Sequence, residues 1–186
     1  MIDQQITVNI FKASWAILLA IAVAAQVRFK GKIKQKGGFL DTLLVVAPYW
    51  VVFGWFSVRE VVGTYQGNIG LQLVGMAGLV AGIIGYVVSI CHLRKNWTVS
   101  AAIKEGHTLV KEGPYRFVRH PMYFFMILAM LGSGLLISDF MIIGYVPLVA
   151  FLYYLRAKKE EKMLVKALPD YESYAKETRM LVPWVL

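Results

Sequence analysis

Three stretches, Ile6–Val27, Leu43–Val62 and Leu71–Leu93, are almost wholly apolar. Each is close to the ~20 residues a helix needs to cross a hydrocarbon core of ~30 Å. Charged residues make up only 17% of the chain and hydrophobic ones 58%, whereas a soluble domain carries nearer ~25% charge. Lipid rather than a large buried core therefore accounts for the apolar content, and an integral membrane protein is expected. The first run follows Asp3 and has no base before Lys12. It reads as a membrane helix that is kept rather than a cleaved signal peptide, with Lys12 near enough to an end to snorkel.

The remaining chain divides around polar punctuation. Arg28, Lys30, Lys32, Lys34 and Lys36 with Gly37-Gly38 form a basic loop, and a second span is expected at Thr42–Val62 with Arg59-Glu60 near its far end. The third span carries Gly78 and Gly82 four apart on one helix face, a spacing that lets helix backbones approach closely. Met122–Ile137 and Phe140–Leu155, separated by Ser138-Asp139 and with Pro147 interrupting the second, fit a helical hairpin. From Arg156 to about Thr178 the chain is charged. Leu155, Met163, Leu164, Ala167, Leu168, Tyr171 and Tyr174 recur there at helical spacing, as in a helix lying on the membrane or on the loop.

Charge placement gives an orientation. The net charge of +9 would suit nucleic acid or an anionic membrane. All basic residues except Lys12 and Arg59 fall in three segments, 28–41, 94–119 and the tail from 156. With five spans these three lie on one side, the arrangement the positive-inside tendency favours. The expected fold is thus an all-α multi-pass membrane protein of about five transmembrane helices, its working surface cytoplasmic, with no nucleic-acid partner.

Between apolar runs lies a polar stretch, His107–Tyr123, written HTLVKEGPYRFVRHPMY. Gly113-Pro114 sets a turn, and His120-Pro121 sets an extended residue before a helix start. A helix beginning there aims unpaired N–H groups at the loop, where an anionic or carboxylate-bearing ligand is welcome. Arg156 and Glu160 are four apart and so share a helix face. From the residues alone two readings stand: a solvated basic loop with a surface ion pair worth ~0.3–0.5 kcal/mol, or two halves of a pocket. His107 and His120 lack Cys or acidic partners at metal spacing. No Ser/His/Asp or phosphate-loop pattern occurs, and Cys91 stands alone in an apolar run.

The blocks H-T-L-V, G-P-Y-R and R-H-P-M-Y, then R-x-x-x-E-E-x-x-L and Y-x-x-Y-x-x-x-T with a closing Pro, resemble the isoprenylcysteine carboxyl methyltransferase family. More broadly they are similar to the membrane methyltransferases that include phospholipid N-methyltransferases. The likeness covers Arg94 to Pro183, about half of the chain. With the apolar runs giving residues 1–93 as three spans, the catalytic region is expected over 94–186, made of a cofactor loop 94–121, the hairpin 122–155 and a cytoplasmic helix and tail 156–186.

The resemblance also implies S-adenosyl-L-methionine as methyl donor, S-adenosyl-L-homocysteine as product, and a prenylated C-terminal cysteine or lipid-modified small molecule reaching the site from membrane lipid. By it, His107, Thr108, Leu109 and Val110 would line the cofactor, largely through backbone. Tyr115, His120, Pro121, Met122 and Tyr123 would complete that pocket, Glu160 would bind the cofactor, and Arg156 would hold the substrate carboxylate. No metal is implied. Phe124-Phe125, where relatives commonly place Gly, and Leu168-Pro169-Asp170-Tyr171 depart from the family pattern and bear on the acceptor. A phospholipid amine acceptor, or a non-enzymatic membrane scaffold or transporter, are the competing expectations.

Overall fold

The protein is described by a computed structural model covering residues 3–36, 38, 43, 47, 48, 51, 54, 68–138 and 140–183. The elements in order are α1 (Gln4–Arg28), β1 (Ile33–Lys36), α2 (Ile69–Leu93), β2 (Ala102–Lys104), α3 (Pro121–Leu136), α4 (Phe140–Ala167) and α5 (Tyr171–Glu177). The second expected span, Thr42–Val62, and its Arg59-Glu60 pair lie outside the described residues apart from scattered positions.

Helix starts follow side-chain chemistry. Asp3 accepts from the N–H groups of Gln5 at 2.8 Å and Ile6 at 3.1 Å, and Asn68 accepts from those of Gly70 at 2.8 Å and Leu71 at 3.3 Å. Each thereby satisfies donors that a helix leaves open at its first turn. Pro121 opens α3, where its missing N–H removes no bond.

Among the described residues, α1, α2 and α4 are long and apolar enough to cross a membrane, while α3 is a shorter apolar helix of 16 residues. Large apolar side chains face outward, with Val23, Val27, Leu73, Val74 and Ile84 more than half exposed. Lipid would cover such faces; water would not tolerate them in this quantity.

Among the described residues the closest helix pair is α2–α3. A Cβ on Gly75 would strike the backbone N of Leu136, one on Gly82 would lie 2.6 Å from that of Ala129, and one on Gly132 would strike that of Leu79. The glycine spacing of the third run therefore serves close helix packing. Gly85 has another task, because a Cβ there would fall within the Phe125 ring. The aromatic that departs from the family pattern occupies the space this glycine leaves.

Three features differ from the sequence expectation, the last being a two-stranded sheet where an all-α fold is expected. Helix α4 runs unbroken for 28 residues through Pro147 and past Leu155, so the second hairpin arm and the charged segment after it form one helix. A membrane helix tolerates an internal proline where neighbouring helices and local adjustment satisfy the freed carbonyl. The charged helix instead ends at Ala167, before Leu168-Pro169-Asp170, and restarts as α5. Pro169 disfavours helical backbone at the residue before it.

The basic segment after α1 also holds a strand. β1 pairs antiparallel with β2, Ile33 opposite Lys104 and Lys36 opposite Ala102. Buried Lys104 secures this corner, donating from Nζ to the carbonyls of Phe29 at 2.6 Å and Trp97 at 2.5 Å. Phe29 caps the C-terminus of α1, where carbonyls are open and a cation is favoured.

Gly132→Ala should overpack the α2–α3 contact by about 1–3 kcal/mol and lower the melting temperature in detergent by roughly 3–10 °C. Gly144→Ala, where an added Cβ meets nothing within 4 Å, should leave it unchanged or slightly raised.

Candidate active site

The polar stretch is folded back over the ends of α2, α3 and α4 by specific ties. Asn96 donates from Nδ2 to the Thr108 carbonyl at 2.8 Å and accepts from the Thr108 N–H at 3.2 Å, a two-way clamp across the loop. Gly113 takes φ +58°, and a Cβ there would collide with the His92 ring, so both conformation and space require glycine. Tyr174 of α5 donates to the Tyr115 carbonyl at 2.5 Å. The N–H of His120 donates to the Met180 carbonyl at 3.0 Å. Arg119 donates from Nη1 to the carbonyls of Ala175 at 2.8 Å and Thr178 at 2.5 Å, and from Nε to Glu161 at 2.5 Å. The segment after α4 thus packs on the loop.

These ties bring His120-Pro121 and the first turn of α3 against α4. Arg156 donates from Nε to the Tyr123 hydroxyl at 2.6 Å and to Glu160 Oε1 at 3.1 Å. Its Nη2 lies 3.1 Å from the same carboxylate oxygen and donates to the Val99 carbonyl at 2.9 Å. The Tyr123 hydroxyl donates in turn to Glu160 Oε1 at 2.9 Å. His120 Nδ1 is 3.5 Å from Glu160 and its Nε2 is 3.5 Å from Glu161. The His120 ring stacks on Tyr123, which stacks on Tyr153.

The Arg156 side chain is 2% exposed and that of Glu160 20%. This is no solvated surface pair. Desolvation makes the arrangement tolerable only while the charges and hydroxyl satisfy each other, and removing one member leaves an uncompensated buried charge.

One wall of a cavity of about 660 Å³ is built from this network. Of the expected site residues, His107, Tyr115, His120, Met122, Tyr123, Arg156 and Glu160 line it. Thr108, Leu109, Val110 and Pro121 do not. Thr108 is held by Asn96, Leu109 and Val110 are half-buried beside it, and Pro121 is buried at the start of α3. Sequence reasoning missed the opposite wall, where α1 supplies Trp15, Leu19, Val23 and Gln26, as well as the loop residues Trp97 and Val99. Trp97 is 2% exposed, and an aromatic so placed beside Arg94-Lys95-Asn96 was the available signal.

Three buried polar atoms in the cavity wall have no hydrogen-bond partner: His107 Nδ1, the Tyr115 hydroxyl and His120 Nε2. The 3.5 Å spacing of Nε2 to Glu161 is an ion-pair distance, too long for a good hydrogen bond. Each unmet buried polar group costs about 1–3 kcal/mol, and His107, Tyr115 and His120 all belong to the lining of this one mostly apolar cavity.

Protonation states differ around the wall. Burial, then the positive charges of Lys104 and Lys95, push the His107 pKa below its ordinary value. Burial pushes the Tyr115 hydroxyl well up, with smaller help from Tyr174, Glu160 and Tyr86, so it remains a neutral donor. Burial alone would disfavour the His120 cation, but the Glu160 and Glu161 carboxylates outweigh it and hold its pKa above the usual value.

Comparison with known proteins adds to this geometry. A family model described as the isoprenylcysteine carboxyl methyltransferase (ICMT) family matches residues 73–166, which include every expected site residue. The chain is 29% identical over 107 residues to the cobalt-zinc-cadmium resistance protein CzcN of Cupriavidus metallidurans, covering 56% of this chain and 49% of that protein. It is 24% identical over 117 residues to the nickel-cobalt-cadmium resistance protein NccN of Alcaligenes xylosoxydans xylosoxydans, covering 62% and 51%. The chain thus spans about half the length of the curated relatives it matches. Among solved structures, the eukaryotic intramembrane Ras methyltransferase ICMT is similar in fold, with a TM-score of 0.56 and 19% identity over 91% of this chain and 53% of that one.

A raised His120 pKa stabilises the fold fully below the unfolded-state value near ~6.5 and loses that contribution as pH rises through the folded value. The melting temperature of the detergent-solubilised protein should therefore fall as pH rises above about 6.5. His120→Gln should flatten that slope; an equal slope in the variant would assign it to other groups.

Proposed function

This chain belongs to the isoprenylcysteine carboxyl methyltransferase family, and on that premise we propose that it is an S-adenosylmethionine-dependent membrane methyltransferase. Its acceptor, in this reading, is the α-carboxylate of an isoprenylcysteine-like molecule, reached at the cytoplasmic membrane face. The observation that carries the reading is the buried Arg156–Tyr123–Glu160 network set in the wall of a cavity with three unpartnered polar atoms. A ligand combining a purine, hydroxyls, an ammonium and a carboxylate suits that mixture of aromatic, donor and acidic groups.

S-adenosylmethionine, when bound, supplies a methyl group on a sulfonium, so transfer breaks a C–S bond and forms a C–O bond. Glu160 offers a carboxylate for the donor's ammonium or hydroxyls, and Tyr115, His107 and His120 offer the unpaired polar atoms beside it. Arg156 presents a cation held by Tyr123, Glu160 and the Val99 carbonyl, a fixed guanidinium against which a carboxylate can be aligned. An α-carboxylate is already ionised at neutral pH, so no general base is required. The residues work by alignment and exclusion of water, for which well-oriented reactants save ~7–11 kcal/mol of barrier. The apolar wall from α1 accommodates the hydrocarbon part of the acceptor.

An amine acceptor, as in phospholipid N-methylation, needs a group to take a proton. His120, Glu160 and Glu161 stand together in this wall, and because the two carboxylates bias His120 towards its protonated form, a carboxylate is the better placed of the three to take it. The metal resistance named for the two curated relatives belongs to those proteins.

Incubation with methyl-labelled S-adenosylmethionine should place label on a prenylcysteine acceptor as a base-labile ester. Arg156→Lys keeps the charge but loses the planar fork, and should lower turnover on the order of 100-fold with cofactor affinity little changed. Label on a lipid amine and none on prenylcysteine would overturn the carboxyl reading.

A further inference from the structure

Helix α4 has a second working face. Tyr153, Arg156 and Glu160 face the cavity, and their opposite side borders a separate apolar hollow of about 450 Å³. Phe124, Ile127 and Leu131 of α3 form one side of it, Phe151 and Tyr154 of α4 the other, and Leu181 and Val182 also line it. Every residue around it is apolar or aromatic, and Phe151 is 55% exposed. In a membrane protein such a hollow between two helices opens towards lipid.

The charges above it are not random. Lys158 and Lys162 lie seven and eleven residues beyond Phe151, about two and three helical turns, so all three point in nearly the same direction. Lys158 Nζ sits 4.8 Å over the Tyr154 ring at the edge of the hollow, and both lysines are exposed. The neighbouring carboxylates are turned away, Glu160 to Arg156 and Glu161 to Arg119, so they do not neutralise this face. One stripe of α4 thus passes from an apolar groove to two cations within a few turns. A lipid with an acyl chain and an anionic headgroup has the same layout.

We infer that the α3–α4 groove is a binding site for one anionic phospholipid, its acyl chain along Phe124, Leu131 and Phe151 and its phosphate at Lys158 and Lys162. The site is separate from the cavity and does not depend on the methyl-transfer reading. A bound lipid would brace the outer side of the two helices whose inner sides carry Tyr123, Arg156 and Glu160.

The test uses the full chain in dodecyl maltoside with dioleoyl phosphatidylglycerol or dioleoyl phosphatidylcholine, read by native mass spectrometry. The wild type should retain phosphatidylglycerol in preference to phosphatidylcholine. Lys158→Gln with Lys162→Gln should remove that preference, by roughly fivefold for each lysine, while leaving the melting temperature without lipid unchanged. Leu131→Trp, which fills the groove, should reduce retention of both lipids. Equal retention of the two lipids by the wild type, or a preference that survives the double lysine substitution, would overturn the inference. So would a wild-type dimer without lipid that Leu131→Trp dissociates, because the groove would then hold a second copy.

Discussion

The buried contact between Arg156, Tyr123 and Glu160 is the constraint on which the rest of this site depends. A guanidinium and a carboxylate taken out of water are each costly, and their attraction compensates only if further hydrogen bonds complete the geometry. Here the pair itself is set by the i, i+4 spacing within α4, and the further bonds come from two other places, the Tyr123 hydroxyl on α3 and the Val99 carbonyl in the loop. The charge network therefore joins elements far apart in sequence. Arg119 repeats the pattern one layer out, linking the loop to Glu161 and to the carbonyls at the end of α5.

That chemistry needs a rigid frame, and glycine provides it. The α2–α3 contact brings backbone against backbone at Gly75, Gly82 and Gly132, so the first turn of α3 cannot shift without breaking a packed interface. The same frame leaves room for Phe125 over Gly85. On the other side α1 buries Phe11, Trp15 and Leu18 in the core, and is tied through Trp15 to Ser133 at 3.1 Å and through Lys104 at its C-terminal end. The cavity lies between another part of α1, at Trp15 to Val27, and the residues of the loop, α3 and α4.

Much of this was legible in the residues, because the controlling forces there are local. Apolar runs of membrane length gave α1 and α2, His120-Pro121 gave the start of α3, and the four-residue spacing of Arg156 and Glu160 put them on one face. What stayed hidden depends on distant contacts. Nothing local marks Ile33–Lys36 as a strand, since its partner lies some seventy residues on. Lys104 reads as one more surface cation until the carbonyls of Phe29 and Trp97 are seen to hold it. Asn96 gains its meaning only from Thr108. The unbroken course of α4 was masked by a change of composition at Arg156, which alters the surroundings of the helix and not its backbone. Local polarity likewise said little about α1 as a cavity wall, because a lipid-facing side and a ligand-facing side are both apolar.

The family match spans the residues of the network, and the claim proposed for them is that this cavity holds a methyl donor. Calorimetric titration of the detergent-solubilised protein with S-adenosylhomocysteine tests it most directly. The account predicts saturable binding that Glu160→Gln weakens at least tenfold, since a hydrogen bond to a charged group contributes about 1.5–3 kcal/mol. Absence of binding at millimolar ligand, or binding unaffected by Glu160→Gln, would contradict it.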